Sequence, residues 1–324
     1  MSARYALIAA EKASSGFPVS RGCRLLRVSV SGFYAWRGRG ESATRKRRAA
    51  LLVWIHRFHR ASDGTYGYRK IHRDLLAAGL PASLALVRRV MRDHGLHGVA
   101  PRRYKTTTVQ DPQASPAPDL LKRDFNSSEP GARLVGDITY LRTWAGWAYL
   151  AVVICLATKR VVGWQLSTRP TAQLVCDALE MAHRNGELAP QAIFHTDRGC
   201  QYTSEGFARC AQRLEVRQSM GRTGVCWDNA QAETFFASLK VECIYRTTLA
   251  SPTHARRIVG RWIETWYNQR RRHSALDYQG PNQRCWQLTT AAGQDDDHPF
   301  DLVTTRNAPS PCDRPIALSP GPYR

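Results

Sequence analysis

Between Leu134 and Val241 the chain passes through three apolar, β-branched stretches and then alternates helix-like and strand-like segments, an order that few folds accommodate. The stretches are Leu134 to Leu141, Ala148 to Leu156 and Val161 to Leu166. Trp144-Ala-Gly parts the first two, which predicts a hairpin followed by a third strand. After them come an amphipathic helix over Thr171 to His183, a short buried strand over Ala192 to His195, a helix over Ser204 to Leu214, a strand over Val216 to Gln218 and a long helix over Asp228 to Val241. Three antiparallel strands and then alternating helix and strand are the order of a ribonuclease-H-like α/β layer fold.

The segment before this block differs in kind. Residues 1–110 hold 22 Lys and Arg against 5 Asp and Glu, most of the excess in a chain of net charge +21, so a polyanion is the expected partner. Residues 1–48 form a basic N-terminal segment in which a helix over Cys23 to Val28 runs through Ser-Val-Ser-Gly into an aromatic stretch, readable as a small helix-turn-helix. Residues 49–110 read as a helical DNA-binding domain, with Leu51, Leu52, Ile55, His56 and His59 on one face and two further helices ending at Gly79 and Gly95. The last of these, capped by Ser83, turns Leu84, Val87, Val90 and Met91 inward and Arg88, Arg89 and Arg92 outward, as a recognition helix presents cations to phosphates. Pro112, Pro116 and Pro118 mark residues 111–130 as a linker, a core domain is expected over 131–286, and the polar, Pro-rich residues 287–324 read as a disordered tail.

Nine scattered cysteines, none in C-x-x-C spacing, read as reduced thiols of a cytosolic protein. The longest apolar run, Ala148 to Ala157, is half of what a membrane span needs, so no membrane partner is expected. There is no G-x-x-x-x-G-K-[ST], G-x-G-x-x-G or H-E-x-x-H, which removes the hardware of nucleotide hydrolysis, dinucleotide redox chemistry and zinc peptidases. His56 and His59 do form H-x-x-H, but without paired cysteines they read as helix residues.

Three acidic residues stand where catalytic carboxylates are useful. Asp137 interrupts a strand in LVGDITYL, where partial burial of its charge needs compensation. Asp197 follows a strand in HTDRGCQY, at the end of an α/β sheet where reacting groups gather. Glu233 sits on the last long helix, with Lys240 two turns further and able to face the same cleft. Two divalent cations about 4 Å apart can activate the attacking oxygen and stabilise the leaving oxygen of a phosphodiester displacement, and such hard ions prefer carboxylate ligands.

These residues carry a resemblance to the second-reading-frame product of the IS-three group of bacterial insertion sequences, whose catalytic core is similar to retroviral integrase. GDITY, HTDRGCQY, DNAQAE, the 35 residues between Asp197 and Glu233, Lys240 seven beyond the Glu, and YNQRRRHSALDYQGP from Tyr267 to Pro281 all match in order, and the likeness spans roughly residues 4–286. Gly136 and Cys200 depart from it, standing where that group commonly has Thr and Ser. The resemblance implies a DNA transposase with an integrase-like core and an N-terminal helix-turn-helix region, acting in the bacterial cytoplasm at the nucleoid. It implies Asp137, Asp197 and Glu233 as ligands of two Mg²⁺ ions, with Mn²⁺ able to substitute, and strand cleavage and transfer at insertion-sequence ends. Lys240 is implied as a contact to end DNA, with His195 and Asn229 supporting the site from behind. Arg270, Arg271 and Arg272 are expected along the DNA path. A homo-oligomer on DNA and cooperation with the upstream-frame product are further expectations. Two other readings stay open at this point: a non-catalytic DNA-binding remnant or regulator that uses only the basic half, and a nuclease of the same fold acting on RNA–DNA hybrids.

Overall fold

The structure, a computed structural model, describes residues 2–100, 117–121, 124–221 and 230–291. The chain divides into two units, Met1–His97 and Gly98–Arg324.

The first unit is helical. Helices α1 (Ser2–Ser15), α2 (Val19–Leu25) and α3 (Val30–Gly38) meet around Tyr5, Ile8, Val19, Cys23 and Phe33. The helix expected over Cys23 to Val28 therefore begins and ends earlier. Arg27 takes φ 50, which stops it, and the Ser29 side chain accepts a bond from the Gly32 N–H, which starts α3 on the aromatic stretch. Helices α4 (Ala43–Ala61), α5 (Tyr68–Ala77) and α6 (Leu84–Asp93) bury Leu51, Ile55, Ile71, Leu75, Val87, Val90 and Met91. The boundary expected at residue 48 falls inside α4. One inward assignment is corrected, since Leu84, in the first turn of α6, is 41% exposed; and of the residues expected to share one face of α4, His56 is exposed. Ser83 does cap α6 by accepting from the Leu86 N–H. Both α5 and α6 end on left-handed glycines, Gly79 at φ +71 and Gly95 at φ +64, each followed by a residue whose N–H reaches back to the last turn.

The second unit is built on a five-stranded sheet of β1 (Arg133–Thr143), β2 (Gly146–Cys155), β3 (Val161–Ser167), β4 (Ile193–Thr196) and β5 (Arg217–Met220). Their order is β3-β2-β1-β4-β5; the first three are antiparallel, and β4 and β5 run parallel to β1. Helices α7 (Ala172–Arg184) and α9 (Glu205–Arg213) follow the strands as the alternation predicts, and a short α8 (Cys200–Thr203) stands before α9 where no helix was expected. One face of the sheet is covered by residues of α7 and α9 such as Leu174, Leu179 and Phe207. The other is covered from α10 (Ala230–Glu242), α11 (Pro252–Arg261) and the π-helical turn Trp262–Tyr267, through Phe235, Leu239, Val259 and Ile263. Helices on both faces of a mixed sheet give the ribonuclease-H-like layer fold expected for residues 131 onward.

Close approach sets two positions. A Cβ on Gly136 would lie 2.1 Å from the Phe194 ring, itself 2% exposed, so a large buried aromatic on β4 takes the room that a side chain at 136 would need. A Cβ on Gly163 would lie 2.1 Å from the Ala178 carbonyl oxygen, which lets α7 lie directly on β3.

The structure moves both ends of the expected core. The residues assigned to the linker do not all lie outside it. Leu121 is 3% exposed, the Leu120 N–H donates to Ser219 Oγ at 2.9 Å, and Arg133 pairs with Asp124 at 2.7 Å, so the unit has begun by residue 117 rather than at 131. At the other end α12 (Pro281–Ala291) carries helix through residues 287–291, which the polar composition had consigned to the tail. Hydrogen bonds along a helix backbone do not require an apolar sequence. The expectations for 101–116 and 292–324 lie outside the described residues.

Candidate active site

Strand pairing brings the first two carboxylates together. Parallel β1 and β4 pair Val135 with His195, and the same register carried on by two residues sets Asp137 level with Asp197. Beyond Val135 the ladder between these strands stops, which opens a cleft at the C-terminal end of β4. Asp137 and Asp197 both line this cleft of about 240 Å³, together with Tyr140, Tyr149, Gln201 and Tyr202.

The electrostatics follow from that position. Burial first, and then the charge of Asp197, push Asp137 up to about 7, with Glu233 adding to the rise; the Ile138 N–H, 2.7 Å from Asp137 Oδ1, and Lys240 work against it. Burial also raises Asp197, opposed by the Gly199 N–H that donates to its Oδ1 at 3.0 Å. Two half-desolvated carboxylates in one cleft are held there against their own repulsion, and a cation between them would relieve it.

Glu233 stands in the first turn of α10, exposed, near enough for its charge to be felt at Asp137 but not lining the cleft. Among the described residues no three carboxylate, His or Cys groups are close enough to hold one ion together. Carboxylate oxygens of the half-buried Asp137 and Asp197 in one cleft nevertheless suit a divalent cation, so the donor set fits the expected metal in kind. Asn229 lies outside the described residues.

Lys240 comes off the same helix, and its ammonium lies 5.7 Å from the Tyr140 ring centre while its charge reaches Asp137. That joins helix and strand at one edge of the cleft. His195 is 1% exposed, with Nδ1 2.8 Å from Ser219 Oγ and its ring edge-on to Phe125, so it ties β4 to β5 and to the incoming chain.

The arginines of the closing motif separate. Arg271 is corrected: it is 9% exposed, grips Glu242 through Nε and Nη2 at 2.7–3.1 Å and donates to Ser238 Oγ at 3.0 Å, so it is a core cation and not a surface for DNA. Arg272 donates to the Tyr278 carbonyl at 3.0 Å and is half-buried, while Arg270 is exposed. In the same motif Asn268 accepts from the Val161 N–H and donates to the Val161 carbonyl, clamping the start of β3. Much of YNQRRRH is thus a lock on the fold.

Sequence reasoning missed Tyr202. Its hydroxyl is buried in the cleft wall with no hydrogen-bond partner among the described residues, under the field of both aspartates. The signal was within reach, since Tyr202 closes the same HTDRGCQY segment five residues after Asp197, and the short helix α8 that contains it starts at Cys200.

In the first unit Arg88, Arg89 and Arg92 are all exposed on α6, with Arg88 over the Tyr68 ring at 5.6 Å and Arg92 beside Asp93.

Residues 127–226 and 214–281 match family models described as integrase core domain, and residues 46–104 match one described as an HTH-like domain. Transposase InsF for insertion sequence IS3A of Escherichia coli (strain K12) is 40% identical over 276 residues, which cover 84% of this chain and 96% of that protein. The InsF transposase for insertion sequence IS3 of Escherichia coli O111:H- gives the same figures. Among solved structures, a simian T-cell lymphotropic virus intasome in complex with PP2A regulatory subunit B56 gamma overlaps at TM-score 0.41 with 17% identity, over 77% of this chain and 76% of that one. An overlap that loose adds nothing to the family matches.

Proposed function

The chain belongs to the family of insertion-sequence transposases that includes InsF, and on that premise we propose that Asp137, Asp197 and Glu233 hold the divalent metal of its strand-transfer chemistry. It is a DNA transposase with an integrase-type catalytic core, a polynucleotidyl transferase that cleaves strands at insertion-sequence ends and joins them to target DNA. Integrase cores are metal-dependent. What supports the ligand assignment is one observation above the rest: strand register brings Asp137 and Asp197, 60 residues apart in the chain, into one cleft.

Two Mg²⁺ ions, or Mn²⁺ in their place, would supply an activated attacking oxygen and neutralise the leaving one, by way of carboxylate ligands. The chain's own residues do the rest. Asp137 and Asp197 present ionised oxygens to the cleft, and Glu233 completes the set from α10. Lys240 binds a phosphate of the end DNA at the cleft edge. Arg88, Arg89 and Arg92 on α6 hold backbone phosphates, and Arg270 and Arg272 line the path of DNA near the cleft. Asn229 and His195 support the ligands from behind, His195 through the β4 backbone that it fixes.

The enzyme works as a homo-oligomer, since two DNA ends must be held at once, and in cooperation with the upstream-frame product. It acts in the bacterial cytoplasm at the nucleoid. No helix among the described residues is long and apolar enough to cross a membrane, and the seven described cysteines are free thiols.

The test is strand cleavage of end-sequence DNA with Mg²⁺ or Mn²⁺. Asp197→Asn and Glu233→Gln are expected to lose at least about 100-fold in rate, the scale of removing one transition-state charge contact. Unchanged cleavage in either variant removes that residue from the site.

A further inference from the structure

The hairpin of β1 and β2 has an outer face that its fold does not require. Tyr140 and Arg142 on β1 lie opposite Tyr149 and Trp147 on β2 in the antiparallel register, so the four share one face. Leu141 and Thr143, on the other face, are 1% and 4% exposed and supply the packing. Tyr149 is half-buried against the core, but the others are open to solvent, with Tyr140 63%, Trp147 48% and the turn residue Trp144 82% exposed. Leaving three large aromatic rings in water forgoes much of what their burial would contribute.

The cluster is held in shape. Tyr140 and Trp147 meet edge to face at 5.8 Å between centroids. The Arg142 guanidinium lies 5.7 Å from the Trp147 ring and the Lys240 ammonium 5.7 Å from the Tyr140 ring. The turn is tied down by bonds from the Trp144 and Ala145 N–H groups to the Leu249 and Ala250 carbonyls, and closed by Gly146 at φ +118. Trp144 therefore projects from a fixed backbone. Tyr140 also lines the Asp137/Asp197 cleft, so the platform begins at the wall of the site and runs outward.

Exposed rings flanked by cations suit a ligand with flat π-faces and negative charge, which is single-stranded nucleic acid. Paired DNA hides its base faces in the stack and offers a side chain only edges and phosphates. A second copy of this chain, meeting the same patch by two-fold symmetry, would bring its own Arg142 and Lys240 against these. The geometry points to a stacking platform, formed by Trp144, Trp147 and Tyr140 with Arg142 and Lys240, for the unpaired bases of a DNA strand beside the scissile phosphate. The inference rests on the reading of the cleft as the strand-transfer site and extends it: the preferred substrate is an end whose terminal bases are frayed.

The experiment measures anisotropy of a fluorescent short duplex carrying a single-stranded oligothymidine tail, against the same duplex with blunt ends, in EDTA so that no cleavage intervenes. The intact protein is expected to bind the tailed probe more tightly. Trp144→Ala is expected to weaken the tailed probe by about 5- to 150-fold, the range for one lost base–aromatic stack, and to leave the blunt probe within about 2-fold. Trp144→Phe keeps most of the preference, and because this side chain is 82% exposed the fold survives either change. Equal binding of the tailed probe by Trp144→Ala and its parent overturns the platform, as does an equal loss on both probes. So does a shift in sedimenting mass in place of a binding change, which would mark the patch as a protein contact. Asp197→Asn retains the tailed preference while losing cleavage. Cleavage by that variant would sink the reading of the cleft, and the binding comparison would stand apart from it.

Discussion

Asp137 is the residue on which chemistry and stability meet. Its carboxyl is raised to about 7 by burial and by Asp197, so in metal-free protein its contribution to stability is complete below the ordinary carboxylate range and is lost as pH rises through about 7. Melting temperatures in EDTA should therefore show Asp137→Asn gaining on its parent between about pH 4 and pH 7 and holding a constant lead above. A divalent cation favours the ionised form and competes with the proton, so cleavage should fall as pH drops through about 7, with a midpoint that moves lower as Mg²⁺ is raised. A midpoint indifferent to Mg²⁺ would mean that the titrating carboxylate is not a ligand. Nothing in LVGDITYL discloses this value. The sequence shows an Asp in a strand, whereas the size of the shift is set first by the burial that folding imposes and then by the second Asp delivered by β4. Gly136 is a similar case. It reads as a departure from the related transposases until Phe194 is seen filling the space beside it.

At the scale of elements, α10 and the segment that follows the π-helical turn are joined through one buried ion pair, Arg271 with Glu242, whose side chains are 10% and 7% exposed. Removing one partner of such a pair leaves an uncompensated buried charge, a cost of about 3–5 kcal/mol. Arg271→Ala is expected to show that loss in chemical denaturation, and Arg270→Ala, on the exposed neighbour, to stay within about 0.5 kcal/mol. A mild Arg271→Ala with impaired DNA binding would restore that arginine to the DNA path. Because α10 also carries Glu233 and Lys240, loosening this pair should lower cleavage along with stability. The periodicity of the chain located every strand of the sheet, and α7, α9 and α10 among its helices, to within a few residues, but not the single turn of α8. It could not divide Arg270, Arg271 and Arg272, since three adjacent cations have the same local signature until packing turns one of them inward.

For the molecule as a whole, the excess positive charge of residues 1–110 should appear as salt dependence. Each phosphate contact contributes about 0.9 to the slope of log affinity against log salt, so replacing Arg88, Arg89 and Arg92 together by Ala should flatten the slope by up to about 3 and weaken all sequences alike. An unchanged slope would return α6 to the role of a solvated helix. Composition, hydrophobic period and motif spacing determined by themselves that the chain has a basic helical part and a layered α/β core, and they named the three carboxylates. Those properties are written in local patterns and in charge, which do not depend on what the segments touch. Tertiary structure alone decided that Asp137 and Asp197 share a cleft that Glu233 does not line, that Arg271 is buried, and that three aromatic rings of the β1–β2 hairpin remain uncovered, one of them at the cleft wall. Each of these turns on which distant groups a residue meets, and distance along a polymer carries no record of distance in space.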